Sequence, residues 1–308
     1  MSNTLRGILC KLAAVFMFIC MAALIKASSD RVPTGQAVFF RSFFGIPIIL
    51  VWLALRHELR TGLKTNNPLG HFWRGLVGTA GMSTGFAALA LLPFSEVKAI
   101  QYAQPVLVVV FAAMFLGERV RVFRLTAVAM GMGGVLIIMS PRLTVLSENG
   151  ADIALALGAI LAFASATFAA LAHVFVRRLT QSEATPAIVF YFAVTASTLS
   201  LITVPFGWVM PNPAEATMLV GAGFVGGIGQ IFLTSSYRFA DASLIAPFEY
   251  SSILMALAIG YFLFAEVPTG MMIVGVVLII AAGVLIIWRE RQLGLQRAQG
   301  RKVMTPQG

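Results

Sequence analysis

Ten stretches of mostly apolar residues, most of them about as long as a helix needs to cross a bilayer, constrain this chain more than any motif. They lie at 8–27, 36–55, 72–92, 97–116 and 125–140, then at 153–176, 186–204, 218–237, 244–264 and 271–288. A helix needs about 20 apolar residues to cross membrane hydrocarbon. No water is available there to satisfy free N–H and C=O groups, so helix is the form expected of every stretch. Composition agrees: 59% of residues are hydrophobic and 11% are charged, where soluble domains carry roughly a quarter charged residues. One core cannot bury that much apolar surface, and lipid must cover the rest. The connections are short, with 56–71 and 205–217 the longest, and leave no room for a soluble domain. Within them Asn66-Asn67-Pro68 and Pro211-Asn212-Pro213 read as turns.

The membrane pattern is written twice. Residues 95–118 and 243–266 align without a gap at an offset of 148. Each segment opens at a serine, passes through mostly apolar residues and stops at a glutamate, Glu118 or Glu266. Five spans per half carry the chain from one face to the other, so the second half starts on the opposite side and is an inverted copy. Lysine and arginine counts give the same orientation independently. One set of loops and tails, including Arg56, Arg60, Lys64, Arg74, Arg119, Arg177 and Arg238, holds 16 basic residues. The other set, Lys26, Arg31, Lys98 and Arg142, holds 4. Positive loops stay cytoplasmic, so both termini are expected inside. The net charge of +10 follows from that topology and argues against nucleic acid as a partner. The fold class expected is all-α integral membrane, with ten transmembrane helices as two inverted five-helix repeats at 8–140 and 153–288. A cytoplasmic basic tail follows at 289–308.

Charged and polar groups inside spans are costly in lipid and point to function. Glu249 lies about five residues into the ninth span, beside Tyr250; the repeat matches these two to Gln101 and Tyr102, with Gln104 one turn on. A carboxylate there can bind a cation or a proton and so couple transport. The plainer reading solvates Glu249 near the interface or pairs it with Arg238. Arg41, in the second span, is either a gate or anion-binding group, or an interfacial arginine paired with Asp30 or Glu96. Lys11 and Lys26 read as markers of the ends of the first span. His173 is either a satisfied core histidine or a coupling group. Glu118 and Glu266 end their helices against the macrodipole and need partners. Arg119, Arg121 and Arg124 are near Glu118, and the helix start at Thr269 and Gly270 is near Glu266. Both glutamates are expected to be gates or hinges.

Paired five-helix units whose fourth helix ends in Phe115-Leu116-Gly117-Glu118 or Phe262-Leu263-Phe264-Ala265-Glu266 resemble the EamA-like group of drug/metabolite transporters. The resemblance covers nearly the whole chain and extends to Pro105, the glycine-rich helices after each glutamate and Arg41, an arginine frequent at this place in the family. Ala265 departs from it, standing where glycine is usual. It implies a secondary transporter of a small organic metabolite in the bacterial inner membrane, working by alternating access. Some members it is similar to carry riboflavin, so uptake of that vitamin is the first expectation. Export of amino acids, drugs or other metabolites is the alternative. Protons as coupling ion and a homodimer stay open.

Several other features carry less. The sequence contains 24 phenylalanines; Phe16, Phe18, Phe39, Phe40, Phe43, Phe44 and Phe86 could stack a planar ligand or simply face lipid. Trp73, Trp208 and Trp288 stand at span ends as interfacial anchors. The glycine pattern at 221–226 matches a dinucleotide fingerprint by letter, yet it lies inside an apolar span with no preceding strand, and reads as a packing surface. The GxxxG pairs Gly81–Gly85 and Gly223–Gly227 do too. Cys10 and Cys20 share one helix and cannot bridge to each other. No metal, cofactor or ATP-binding motif is expected, and no cluster of acids and histidines at one depth suggests an enzyme.

Overall fold

The computed structural model describes residues 3–59, 61–116, 122–143, 150–282, 284, 285 and 288. Among them every regular element is helical. The first span is α1 (Asn3–Ser28). α2 (Thr34–Phe43) and α3 (Gly45–Leu55) form the second, α4 (Pro68–Leu91) the third, α5 (Phe94–Gln101) with α6 (Ala103–Leu116) the fourth and α7 (Val122–Leu143) the fifth. The second half runs through α8 (Gly150–Leu179), α9 (Thr185–Leu201) and α10 (Pro213–Phe239). Its ninth span consists of α11 (Ala242–Ile245), a 3-10 stretch (Ala246–Ser252) and α12 (Ile253–Phe264). α13 (Gly270–Ala282) ends the described helices. Among the described residues five segments are long and apolar enough to cross a membrane: Asn3–Ser28, Thr34–Leu55, Phe94–Leu116, Ile153–Leu179 and Pro213–Phe239. Glu118, the side chain of Tyr250 and the expected tail at 289–308 lie outside the described residues.

Three spans read as continuous are broken, and proline is the cause. Pro47, Pro105 and Pro247 each lack the N–H that would bond four residues back, a loss that breaks or kinks a helix. The helix accordingly interrupts at Phe44, at Tyr102 and through the 3-10 stretch ending at Ser252. At the second break the Tyr102 N–H is shared between Lys98 O at 3.2 Å and Ala99 O at 3.3 Å. The fourth and ninth spans, copies of one another, therefore open their backbones close to the polar residues Gln101, Tyr102 and Glu249.

The two Asn-Pro turns start helices instead of merely linking them. Asn67 Oδ1 accepts from the Gly70 N–H at 2.9 Å, and Asn212 forms a full capping box with Glu215. A proline follows each asparagine at the first helical position, where its missing N–H costs nothing.

The most extensive packing pairs α1 with α10 and α4 with α8. Under the repeat α8 corresponds to α1 and α10 to α4, so each half lays its first span on the third span of the other. α2 meets α9 and α5 meets α12 in the same cross-half manner. Small residues permit these approaches: a Cβ on Gly227 would lie 3.0 Å from Gly45 Cα, and one on Gly134 would lie 2.6 Å from Gly275 O. Hydrophobic burial draws no helices together in lipid, so close contact of this kind has to supply the attraction.

Ala265, the departure from the family pattern, closes α12 in the left-handed region at φ 53° and ψ 31°. The Glu266 N–H then folds back to Gly260 O at 2.9 Å. A side chain in this conformation carries about 1 kcal/mol of strain that glycine avoids. Ala265→Gly is therefore expected to raise the melting temperature of the detergent-purified protein by a few degrees; a lowered one would refute the strain.

Candidate functional site

Polar side chains from both halves converge on one central cavity of about 180 Å³. α1 contributes Phe18 and Met21, α2 Arg41, and α4 Arg74, Gly78 and Phe86. The broken fourth span adds Lys98, Gln101, Tyr102 and Gln104; α8 adds Ser165 and His173; α9 adds Phe192; α10 adds Gln230; and the ninth span adds Glu249 and Ser252. Gln101, Tyr102, Gln104, Arg41 and Glu249, chosen from the sequence, are thus brought together.

Glu249 does not pair with Arg238, which instead bonds Thr185 Oγ1 at 2.8 Å and the Glu183 carbonyl. Its partner is Lys11, whose Nζ lies 2.5 Å from Glu249 Oε2. Lys11 is 1% exposed, so it does not mark the end of α1 but sits inside the bundle, one turn beyond the expected boundary. The ring of Tyr237 lies 5.9 Å from the same ammonium. Nearby, Tyr102 Oη and Ser252 Oγ share a hydrogen bond of 2.8 Å that ties the fourth span to the ninth. Gln101 bridges Lys98 at 3.1 Å and Ser165 at 3.1 Å. Gln104 meets His173 Nδ1 at 3.1 Å, which places that histidine in the cavity wall with a partner.

Arg41 does not reach the interface, and among the described residues it pairs with no acid. It is buried, with Nε 3.5 Å from Met21 Sδ and its guanidinium 5.4 Å from the centre of the Phe192 ring. Arg74 lies against the same ring at 4.0 Å. Counting Arg74 among the loop charges is therefore a misassignment: it is 3% exposed, inside α4, with Nη2 donating to Gln230 Oε1 at 3.4 Å. Lys98, counted on the opposite side, also belongs to the cavity.

Glu266 finds its partner in the other half instead of at Thr269 and Gly270. Its Oε1 accepts from the Phe94 N–H at 2.6 Å, and its Oε2 accepts from the Ser95 N–H at 2.9 Å and Ser95 Oγ–H at 2.8 Å. A carboxylate that opposes the dipole of its own helix thereby caps the N-terminus of α5, where the dipole favours it. Phe94 and Phe264 stack beside this clasp with centroids 5.6 Å apart. Lys26 caps the far end of α4 by donating to Leu89 O at 2.7 Å and Leu92 O at 3.0 Å.

Of the seven phenylalanines considered for stacking, Phe18 and Phe86 line the cavity. Phe39, Phe40, Phe43 and Phe44 instead pack on one another, and Phe39 also on Trp208. Phe192, Gln230 and Arg74 were missed. Pro105 and Pro247 are the signal that points to the broken spans, whereas nothing in the local sequence marks α9 as a cavity wall.

Removing either partner of the Lys11–Glu249 pair strands the other charge. Lys11→Met and Glu249→Gln are each expected to cost about 3 kcal/mol, the low end for a buried pair, because the Glu249 side chain remains 21% exposed. The double variant should recover most of that loss in detergent unfolding curves. Simple additivity of the two losses would disprove the coupling.

Comparison with known proteins agrees with the geometry. The EamA-like transporter family matches residues 5–140 and 156–288. A pseudopaline exporter of Pseudomonas aeruginosa is 32% identical over 282 residues, covering 90% of this chain and 94% of the relative. An S-adenosylmethionine uptake transporter of Rickettsia felis is 26% identical, covering 87% of each chain. A riboflavin transporter of Rhizobium johnstonii is 26% identical, covering 84% of this chain and 82% of the relative. One protein crystal structure superposes with a TM-score of 0.71 over 93% of this chain and 98% of its own, at 22% identity, a likeness of fold. The chain is a multi-pass membrane transporter of small metabolites and not an enzyme, with ten transmembrane helices in two inverted repeats. It belongs to the EamA-like transporter family.

Proposed function

We propose that this protein is a secondary transporter that carries a small organic metabolite by alternating access, with Glu249 as its coupling group. The observation that carries this reading is the Lys11–Glu249 pair, which joins the first span of one half to the broken ninth span of the other at the cavity wall that Glu249 lines. A proton arriving at Glu249 cancels its charge, frees Lys11 and loosens that cross-half tie. The Glu266 clasp and the Tyr102–Ser252 bond hold the fourth and ninth spans together toward one end. Exchange of roles between the inverted halves would open that end and close the other. Removing Arg74 and Lys98 from the loop counts leaves the positive bias intact, which supports both termini in the cytoplasm, and the bacterial relatives support an inner-membrane location.

Riboflavin stays a second reading because Phe18, Phe86 and Phe192 line the cavity and can stack a planar ring. The cavity of about 180 Å³ is below the roughly 300–1,000 Å³ of pockets that enclose drug-sized ligands. A flavin would need its walls to part further than an amino-acid-sized solute would.

Proteoliposomes containing the purified chain should accumulate one member of a panel of pseudopaline, S-adenosylmethionine, riboflavin and amino acids when a proton gradient is imposed. Glu249→Gln is expected to abolish the response to the gradient. Gradient-driven accumulation unchanged in Glu249→Gln would rule out the coupling role, and movement of no solute would rule out the substrate class tested.

A further inference from the structure

The acid of the cavity has a charged partner, and among the described residues three of its cations do not. Among the described residues Glu249 is the single carboxylate lining it, and Lys11 holds it at 2.5 Å. Arg41, Arg74 and Lys98 line the same space, and among the described residues none of them is within ion-pair distance of an acid. Arg74 is 3% exposed, yet among the described residues its Nε and Nη1 have no hydrogen-bond partner. A buried guanidinium with unmet donors is expensive, more so with a second one against the same aromatic ring. Such an arrangement persists where something visits to satisfy it.

The surroundings are shaped around both arginines. A Cβ on Gly78 would stand 2.1 Å from Arg74 Nη1 and 2.7 Å from Phe192 Cε2. A Cβ on Gly226 would stand 3.1 Å from Arg41 Nε. Each guanidinium therefore rests in space that a glycine leaves open. Gln230, which also lines the cavity, accepts one Arg74 N–H. The site straddles the halves, with Arg41 and Arg74 from the first and Phe192 and Gln230 from the second.

We propose that Arg41 and Arg74, backed by Phe192 and joined by Gln230, form the subsite that binds an oxyanion group of the transported metabolite, a carboxylate or a phosphate. This deepens the transport reading and rests on it for the word transported. Guanidiniums present paired donors that match the two oxygens of such a group. Because the site is shared between halves, closing them on an anion changes the distance between its walls, which gives binding a direct hold on the transition. A solute whose recognised group is cationic would meet three like charges here.

The test does not require knowing the substrate. In a background of Cys10→Ser and Cys20→Ser, a thiol is placed in the cavity wall by Ala169→Cys. Its modification rates by an anionic sulfonatoethyl and a cationic trimethylammonioethyl methanethiosulfonate are compared in membrane vesicles. The wild-type cavity should favour the anionic reagent by about tenfold relative to a free thiol, as expected for fixed charges a few ångströms away in a partly desolvated space. Arg41→Gln and Arg74→Gln should each reduce that ratio several-fold, and Arg56→Gln, in an exposed loop, should not. Protection by glutarate assigns the group as carboxylate, and protection by glycerol phosphate assigns it as phosphate. Gly78→Ala keeps the charge but displaces Nη1; it should retain the rate ratio and lose the protection, and it remains informative if Arg74→Gln fails to fold. Preference for the cationic reagent, a ratio unchanged in both glutamine variants, protection by cadaverine alone or by none of the three solutes, or no reaction with either reagent would each overturn the subsite. Anion protection without solute movement in proteoliposomes would sink the transport reading and leave the subsite standing.

Discussion

Lipid offers no hydrogen bonds, and that single deficit organises this molecule. Every backbone group in a span has to be satisfied within the protein, which makes each span helical. Wherever a helix is interrupted, the freed groups must face a protein-lined space. The breaks at Phe44, at Tyr102 and before Ser252 follow from Pro47, Pro105 and Pro247. Two of the three lie beside the cavity, where Tyr102 and Ser252 bond one another and the opened backbone meets polar partners. The same deficit gathers the charges. Lys11, Arg41 and Arg74 are nearly inaccessible, and the only place where such groups are tolerable is an interior they share.

Duplication builds that interior from both halves. The chief helix contacts, α1 with α10 and α4 with α8, both cross between halves and are equivalent under the repeat. Among the described helices the largest contacts therefore lie between the halves and not within them. What links them at cavity depth is a small set of polar ties, Lys11 to Glu249 and Tyr102 to Ser252, with Glu266 closing one end through the N-terminus of α5. Ties of this sort can be made and broken at modest cost. Glycine contacts such as Gly45 against Gly227 bring the helix backbones of the two halves close together. The anion subsite sits on the same seam, so recognition and movement share residues.

Much of this was legible before any coordinates, and the failures have a common origin. Glu249, Gln101, Tyr102, Gln104 and Arg41 stand out because polar residues inside apolar runs violate a strong rule, and all five line the cavity. Arg74 and Lys98 were misplaced because they lie near span ends, where a basic residue normally reaches water; the helices continue past them and bury them. Lys11 was read as a boundary for the same reason. Glu266 was given a local partner because sequence proximity suggests one, whereas its actual partners are 171 and 172 residues away. Phe192 and Gln230 carry no local signal, since an aromatic or an amide in a span is ordinary.

Class, span number, helical form and duplication are one-dimensional properties. They depend on how apolar each run is and on whether one run resembles another, so reading along the chain suffices. Which buried charge meets which is a property of distance in space. Lys11 and Glu249 are 238 residues apart, and no periodicity announces that α1 and the ninth span converge. Only folded packing could show that the cavity acid is already neutralised while two guanidiniums on one phenylalanine are not. That difference turns a general metabolite cavity into one biased toward anions.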